Sequence, residues 1–197
     1  MDWVSGPVFL GFRVKRPWEL PSEMICCVGD NLCEPPDGWI DRWDFNRASC
    51  YGSPELAWST VPGNPSPYRL FAYFLFPIDL YEGEPPAAVS LGEIFSDLLP
   101  DLPRALTDIS DFVQLGYDVA EHNFGFLGYA YSPLLTNGFA KDFPTNRFGL
   151  LDSLETAFRA CEAINVRMPE HAPHWVFQVL GKDIDKPLPS DSCREEK

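Results

Sequence analysis

Residues 8–14 read VFLGFRV, and residues 113–119 read VQLGYDV. Apolar side chains alternate along both stretches, as they do in a β-strand, where successive side chains point to opposite faces. Each stretch has a central glycine, and its alternate positions form an apolar series that is expected to share one face. The two series are Val8, Leu10, Phe12 and Val14, and Val113, Leu115, Tyr117 and Val119. The match predicts that one strand occurs twice in the chain.

A second pair of matching stretches follows these strands. Residues 44–58 read DFNRASCYGSPELAW and residues 142–158 read DFPTNRFGLLDSLETAF, with an Asn-Arg pair in each. Both stretches predict the start of a helix. In the second, Asp152 or Ser153 is expected to cap a helix that runs to about Ile164, because short polar side chains bind free amides at a helix start. The first helix is predicted from about Ser53, with a proline just inside it, and is shorter.

Each half then closes with an apolar strand, PYRLFAYFLFP from Pro67 and PHWVFQVLGK from Pro173. These strands are apolar on both faces, which predicts a central place in a sheet. EMICCVGD at 23–30 and FGFLGYAY at 124–131 are interpreted as second strands. The order predicts an α+β fold of two pseudo-repeated β-β-α-β units, which form one or two antiparallel sheets with helices packed on one side.

The repeats divide the chain into four parts. Residues 1–78 are predicted to be the first repeat and residues 112–182 the second, with both in one compact domain. Residues 79–111 are an acidic connector with a short helix capped by Ser90, and residues 183–197 are expected to be a disordered tail because they contain few apolar side chains.

The net charge of the chain favours some classes of partner and disfavours others. The 197-residue chain has a net charge of −14. The stretch from Asp79 to Asp111 has eight acidic residues and one base, Arg104, which is a net charge of −7. Such a chain repels nucleic acid and anionic membranes and attracts a basic partner. The N-terminus lacks the pattern of a secretory signal and no run of about 18 apolar residues occurs, so a cytoplasmic protein without a membrane partner is expected.

Signatures of catalysis and of metal binding are few. The sequence has three histidines, no nucleophile elbow and no glycine loop for phosphate. Glu170, His171 and His174 form E-H-x-x-H, but the flanking prolines predict a loop before the last strand, and His122 is expected in a turn. The six cysteines have no Cys-x-x-Cys spacing and are interpreted as buried free thiols. The prediction is a protein that is not an enzyme and has no cofactor or metal.

Two further motifs have alternative interpretations. The pairs Asn46-Arg47 and Asn146-Arg147 could bind an anion, but their repetition before each helix favours a structural role. Trp39 and Trp43 have no counterparts in the second half, so they are either local core or anchors for a partner.

Several motifs of the chain resemble a group of uncharacterised bacterial cytoplasmic proteins over most of residues 112–180. The motifs are FLGF, FVQLGYDV, SPLLTNGFA, NRFGLLDSLETAF and MPEHAPHWVFQVL. Small, acidic, duplicated proteins of this kind are similar to the immunity proteins that bacteria produce with toxins of type VI or related secretion systems. The resemblance implies that the chain binds and neutralises a cognate antibacterial toxin, such as a basic nuclease.

In this hypothesis an acidic surface blocks the active or substrate-binding site of the toxin. The predicted contacts are Glu82, Glu84, Glu93, Asp97 and Asp101, with Trp39 and Trp43 as anchors. Two alternatives remain. The acidic connector could serve only to keep the protein soluble. A second class of function is a small-molecule-binding module or enzyme in the cleft between the repeats, with Asn46, Arg47, Asn146, Arg147 and His122 as polar groups.

Overall fold

The computed structural model of the chain describes residues 7–20, 23–25, 33–34, 36–38, 45–76, 103, 108–122, 130–135, 138–171 and 173–184. The strands in these ranges are β1 (Val8–Leu20), β2 (Glu23–Ile25), β3 (Cys33–Glu34), β4 (Arg69–Phe76), β5 (Val113–His122), β6 (Ala130–Tyr131) and β7 (His174–Lys182). The α-helices are α1 (Pro54–Trp58), α2 (Phe139–Asp142) and α3 (Leu154–Arg167), and Pro169–His171 forms a 3-10 turn.

The strands form one antiparallel sheet. Their order is β2-β1-β4-β7-β5-β6, and β3 also pairs with β1. The four long strands are β1, β4, β7 and β5, and the shorter ones extend the two sides. The predicted α+β class is confirmed, and so is the central position of the two closing strands, β4 and β7. Strands from both halves of the chain therefore share a single sheet.

Helices α1 and α3 pack on the same face of this sheet. Ala57 of α1 packs with Leu70 and Ala72 of β4, and Ile164 of α3 packs with Val176 of β7. Even-numbered residues of β4 pair with even-numbered residues of β7, so these side chains point to one side. We call it the helix face. The opposite side, the far face, contains a separate buried cluster that includes Tyr73 and Phe177.

The expectation that each apolar series of β1 and β5 lies on one face is wrong. Val8 and Leu10 pack in the far-face cluster, whereas Phe12 and Val14 pack on the helix face. A β-bulge shifts the register between Phe9 and Gly11, and β5 has the same irregularity between Gln114 and Gly116. Because a bulge adds one residue to one strand, the alternation of side chains reverses beyond it.

Both bulges require glycine. The φ angles are +125° at Gly11 and +145° at Gly116, a region that other residues rarely adopt. A Cβ atom at Gly11 would lie 2.5 Å from the carbonyl oxygen of Tyr51, and one at Gly116 would lie 2.7 Å from that of Leu151. The central glycines of the two matching stretches therefore allow another part of the backbone to approach each strand.

The predicted helix starts are confirmed. The side chain of Ser53 accepts a hydrogen bond from the amide of Leu56, and Ser153 accepts one from the amide of Thr156. These serines are the N-caps of α1 and α3, which have five and 14 residues. Asp152, the other candidate cap, instead accepts a hydrogen bond from the side-chain amide of Asn146 at 2.9 Å.

Other predictions fall partly or wholly outside the described residues. Of the two predicted second strands, the structure describes β2 and β6, and the connector helix after Ser90 lies outside. The chain stays packed past β7, because Ile184 is buried against Gly181, and residues 185–197 lie outside. Within the described part of the chain, no helix has the length and apolar character needed to cross a membrane.

Candidate functional site

The residues predicted to contact a toxin all lie outside the described part of the chain. They are Glu82, Glu84, Glu93, Asp97, Asp101, Trp39 and Trp43. The described residues do include the two Asn-Arg motifs, the three histidines and a cavity.

Asn46 and Asn146 make matching hydrogen bonds. The side-chain amide of Asn46 donates to the carbonyl of Leu10 at 2.7 Å, and that of Asn146 donates to the carbonyl of Leu115 at 2.8 Å. Each donation ends on the strand one residue before the bulge glycine. The asparagines therefore connect a loop to β1 and to β5.

The oxygen of each asparagine side chain binds its own loop. Asn46 Oδ1 accepts from the amides of Ala48 and Cys50 at 3.0 and 3.1 Å. Asn146 Oδ1 accepts from the amides of Phe148 and Leu150 at 2.9 and 3.3 Å. Because these groups are engaged inside the protein, the structural interpretation of the asparagines is confirmed.

The loops continue as short bridges to the strands. Tyr51 pairs with Phe12 of β1, and Leu151 pairs with Tyr117 of β5. We call residues 45–51 and 145–151 the asparagine loops. The arginine of the second loop, Arg147, has its guanidinium 4.6 Å from the centre of the Phe148 ring. The loops thus hold backbone against the outer edges of the two long strands.

The sequence predicts that His122 lies in a turn, but the structure places His122 in a strand. It is the last residue of β5 and is buried, with 1% of its surface exposed. The strand reaches this far because β7 pairs with it through the partners Glu121 and His174. The indole nitrogen of Trp175 donates to the carbonyl of His122 at 3.1 Å, which fixes the end of β5 in the core.

The E-H-x-x-H motif spans two elements. Glu170 and His171 belong to the 3-10 turn, and His174 begins β7. The motif therefore does not lie on one helix, as its flanking prolines predict. Across the described ranges, no group of three or more His, Cys, Asp or Glu side chains is placed to hold a metal ion.

His174 is a neutral, buried group. Its Nδ1 lies 3.0 Å from Oδ1 of Asn165, and its backbone amide donates to the same oxygen at 2.7 Å. Since that oxygen only accepts, Nδ1 carries the proton. Burial, with a smaller effect of His171, lowers the pKa of His174 to about 4 against an opposing effect of Glu170. Burial also raises the pKa of the Cys161 thiol to about 12, so Cys161 is not a nucleophile at neutral pH.

A cavity of about 800 Å³ lies at the carboxyl end of α3, on the helix face. Its walls come from β5, β6, α2, the end of α3 and the 3-10 turn. The lining residues are Glu121, Tyr131, Phe139, Arg167, Met168, Glu170 and His171. All of them belong to the second half of the chain.

One ion pair, one hydrogen-bonded pair and two ring contacts organise the cavity. Nδ1 of His171 lies 3.1 Å from Oε2 of Glu121, and the ring of His171 lies 6.0 Å from that of Tyr131. The guanidinium of Arg167 pairs with Asp142 at 2.5 Å and lies 5.3 Å from the centre of the Phe139 ring. Among the described residues, the carboxylate of Glu170 has no hydrogen-bond or ion-pair partner.

The cavity is not where the sequence placed a ligand site. The polar groups proposed for a cleft between the repeats do not line it, and Asn46 and Asn146 serve the loops instead. The MPEHAPHW stretch contains two of the three histidines, and its residues Glu170 and His171 do line the cavity. No sequence motif marks Tyr131 or Phe139 as a site residue, because each reaches the cavity only when distant segments of the chain fold together.

Comparisons of the chain with protein-family models, with curated proteins and with solved structures find no match.

Proposed function

We propose that this chain is an immunity protein that binds and neutralises a basic toxin. The observation that carries the proposal is the net charge of −7 between Asp79 and Asp111, half of the total. Complementary charge increases association rates and selects among partners. The protein acts in the cytoplasm by binding, without catalysis and without a nucleic-acid partner.

The mode of inhibition follows from the chemistry of a basic nuclease. Such an enzyme binds the phosphates of its substrate through lysine and arginine side chains. Carboxylates of Glu82, Glu84, Glu93, Asp97 and Asp101 occupy these sites in place of phosphate. Trp39 and Trp43 supply buried aromatic contacts, which commonly dominate the affinity of an interface.

The attachment of the acidic segment supports this proposal. The segment follows Phe76 of β4 and precedes Val113 of β5, so both of its ends continue into long strands of the sheet. Phe76 pairs with Val176 of β7, and Val113 pairs with Gly181 of β7. The two attachment points are therefore about 17 Å apart along the direction of β7. A segment tied at both ends loses less conformational freedom on binding than a free tail does.

We also propose that residues 1–78 and 112–182 are diverged copies of one ββαβ module. The matching asparagine loops and bulges support it, and so does the register of the sheet. Phe12 pairs with Ala72, and its counterpart Tyr117 pairs with Gln178. In this correspondence Ala72 of β4 matches Gln178 of β7, and Phe74 matches Leu180. A twofold axis therefore relates the paired residues Ala72 and Leu180 to the paired residues Gln178 and Phe74. That axis passes through the pair formed by Tyr73 and Val179.

The proposed function is tested by capture of the partner. The tagged full-length protein is used in a pull-down from its native organism at low salt and at about 0.5 M salt, where screening reaches only a few ångströms. We expect one basic protein to bind at low salt and to be weakened at high salt. Absence of a stoichiometric protein partner contradicts the proposal.

Charge reversal then locates the contact. The Asp97→Lys/Asp101→Lys variant is expected to lose affinity for the captured protein and to lose protection against it. The matched control is Glu155→Lys/Glu162→Lys, which makes the same charge change at exposed positions of α3. Unchanged affinity and protection in the first variant would exclude the acidic segment as the contact.

A further inference from the structure

We propose that the cavity at the carboxyl end of α3 binds an organic cation, namely an ammonium or guanidinium group carried on an apolar body. The proposal is independent of the acidic segment, since every residue that carries it lies in the second half of the chain, between Glu121 and His171.

The charges around the cavity favour a cation. Two carboxylates, those of Glu121 and Glu170, line it. Among the described residues of the wall, the guanidinium is that of Arg167, and Asp142 already balances it. The cavity also lies at the carboxyl end of a 14-residue helix, where the helix dipole places negative partial charge. An anion would meet both carboxylates and the helix end, whereas a cation would be attracted by all three.

The carboxylates retain capacity for a ligand. His171 contacts one oxygen of Glu121, Oε2. A carboxylate offers about four acceptor positions, so Glu121 can bind His171 and a ligand at the same time. Glu170 is exposed on the turn, and within the described ranges its carboxylate makes no hydrogen bond or ion pair. Two carboxylates on separate elements can therefore share the N–H groups of one ammonium or guanidinium.

The apolar walls suit the body of such a ligand. Tyr131, Phe139 and Met168 line the cavity beside the acidic groups. Aromatic ring faces attract cations, and the chain already uses one in this way, because Arg167 lies over Phe139 at 5.3 Å. A volume of about 800 Å³ is within the range of small-molecule sites. The cavity thus combines carboxylates with an aromatic and thioether lining.

Cations of this class come from two sources, a free amine or the side chain of a peptide. The first probe is agmatine, a free butyl chain with a guanidinium at one end and an ammonium at the other. The second is acetyl-Gly-Arg-Gly-amide, with acetyl-Gly-citrulline-Gly-amide as the uncharged control of the same shape. Titrations use the full-length protein and follow binding by calorimetry and by NMR shifts. Binding of agmatine without binding of the arginine peptide would show that the ligand is a free small molecule. Binding of both would show that the cavity also accepts an arginine side chain of a peptide.

The variants test the site itself. Glu121→Gln/Glu170→Gln is expected to weaken agmatine binding about tenfold or more, since bonds to charged groups are the strong ones. Glu155→Gln/Glu162→Gln removes the same charge from exposed positions of α3 outside the cavity and is expected to leave binding unchanged. Glu170→Gln alone, at an exposed position, keeps the test valid if the double variant folds poorly.

Three results would overturn the proposal. The first is no saturable binding of agmatine or the arginine peptide up to about 10 mM, a very weak affinity. The second is equal binding of the citrulline peptide. The third is binding that both glutamate variants leave intact. None of these bears on the capture of a basic protein, so failure here and failure of the proposed function are separate results.

Discussion

The two asparagine loops are nearly the same, but the helices that follow them differ. Asn46 and Asn146 make equivalent hydrogen bonds to the strand and to their own loop. Both loops lead to a serine cap. Yet α1 ends at Trp58, whereas α3 continues for nine residues past Phe158 to Arg167.

This difference separates the scaffold from the site. The loop, bulge and cap hold one long strand in each half, and they do not require a long helix. The added length of α3 places Arg167, Met168 and the 3-10 turn beside the end of β5, where the cavity lies. The comparison suggests that shared features maintain the fold and that the unshared part of α3 supplies a binding surface.

The largest effect is expected at the bulge glycines. Gly116→Ala places a Cβ atom 2.7 Å from the carbonyl oxygen of Leu151, at a φ of +145°. Gly11→Ala does the same beside Tyr51 at 2.5 Å. We expect each to lower the free energy of unfolding by about 3 kcal/mol or more, through backbone strain and displacement of the loop. Urea unfolding followed by tryptophan fluorescence measures this change in the free energy of unfolding.

Gly52→Ala is the matched control, because a Cβ atom there meets nothing within 4 Å and φ is not in the left-handed region. It is expected to change stability by less than about 0.5 kcal/mol. If only one of the two bulge variants is destabilised, the two loops are not mechanically equivalent and the comparison fails.

A slightly smaller effect is expected from removal of the asparagine side chains. Asn46→Ala leaves the carbonyl of Leu10 and the amides of Ala48 and Cys50 without their partner. We expect a loss of about 3 kcal/mol, and a similar loss for Asn146→Ala, because partly buried polar groups become unsatisfied. The losses should add in the double variant, since the loops lie at opposite edges of the four long strands.

Asn64→Ala serves as the control in this series, because Asn64 is exposed and, within the described ranges, accepts a single hydrogen bond, from the amide of Ser66 at 3.0 Å. Thermal unfolding and urea midpoints of the four variants are compared. A loss at Asn46 no greater than that at Asn64 would show that the first loop does not depend on its asparagine.

Much of this scaffold could be predicted from the sequence. Alternation identified β1 and β5, the serine caps located α1 and α3, and apolar character on both faces placed β4 and β7 at the centre. Local patterns succeed here because propensity, capping and burial agree at these positions. The same reasoning could not detect the bulges at Gly11 and Gly116, since a bulge depends on a distant loop approaching the strand.

The cavity could not be predicted for a related reason. Its walls come from Glu121, Tyr131, Phe139 and the end of α3, which are brought together only by the pairing of β5 with β6 and β7. His122 was misjudged because its short local pattern resembles a turn, while pairing with β7 extends the strand. Tertiary contacts thus decide the elements whose sequence is locally ambiguous.

The last prediction concerns a titration that the second half alone is expected to show. In the register of the sheet, the first-half position that corresponds to His174 is Tyr68, which has no imidazole. His174 stays neutral in the folded protein down to its lowered pKa of about 4, whereas in the unfolded chain it binds a proton near pH 6.5. The stabilisation is therefore complete above pH 6.5 and is lost as pH falls toward 4, by about 3 kcal/mol.

Urea unfolding at pH 7 and pH 4.5 measures this loss. Carboxylates titrate in the same window, so the informative quantity is the difference between the unmodified chain and His174→Phe, which keeps a ring and cannot be protonated. We expect His174→Phe to show the smaller loss on acidification. An equal pH dependence in the unmodified chain and His174→Phe would mean that the buried histidine does not distinguish the two halves.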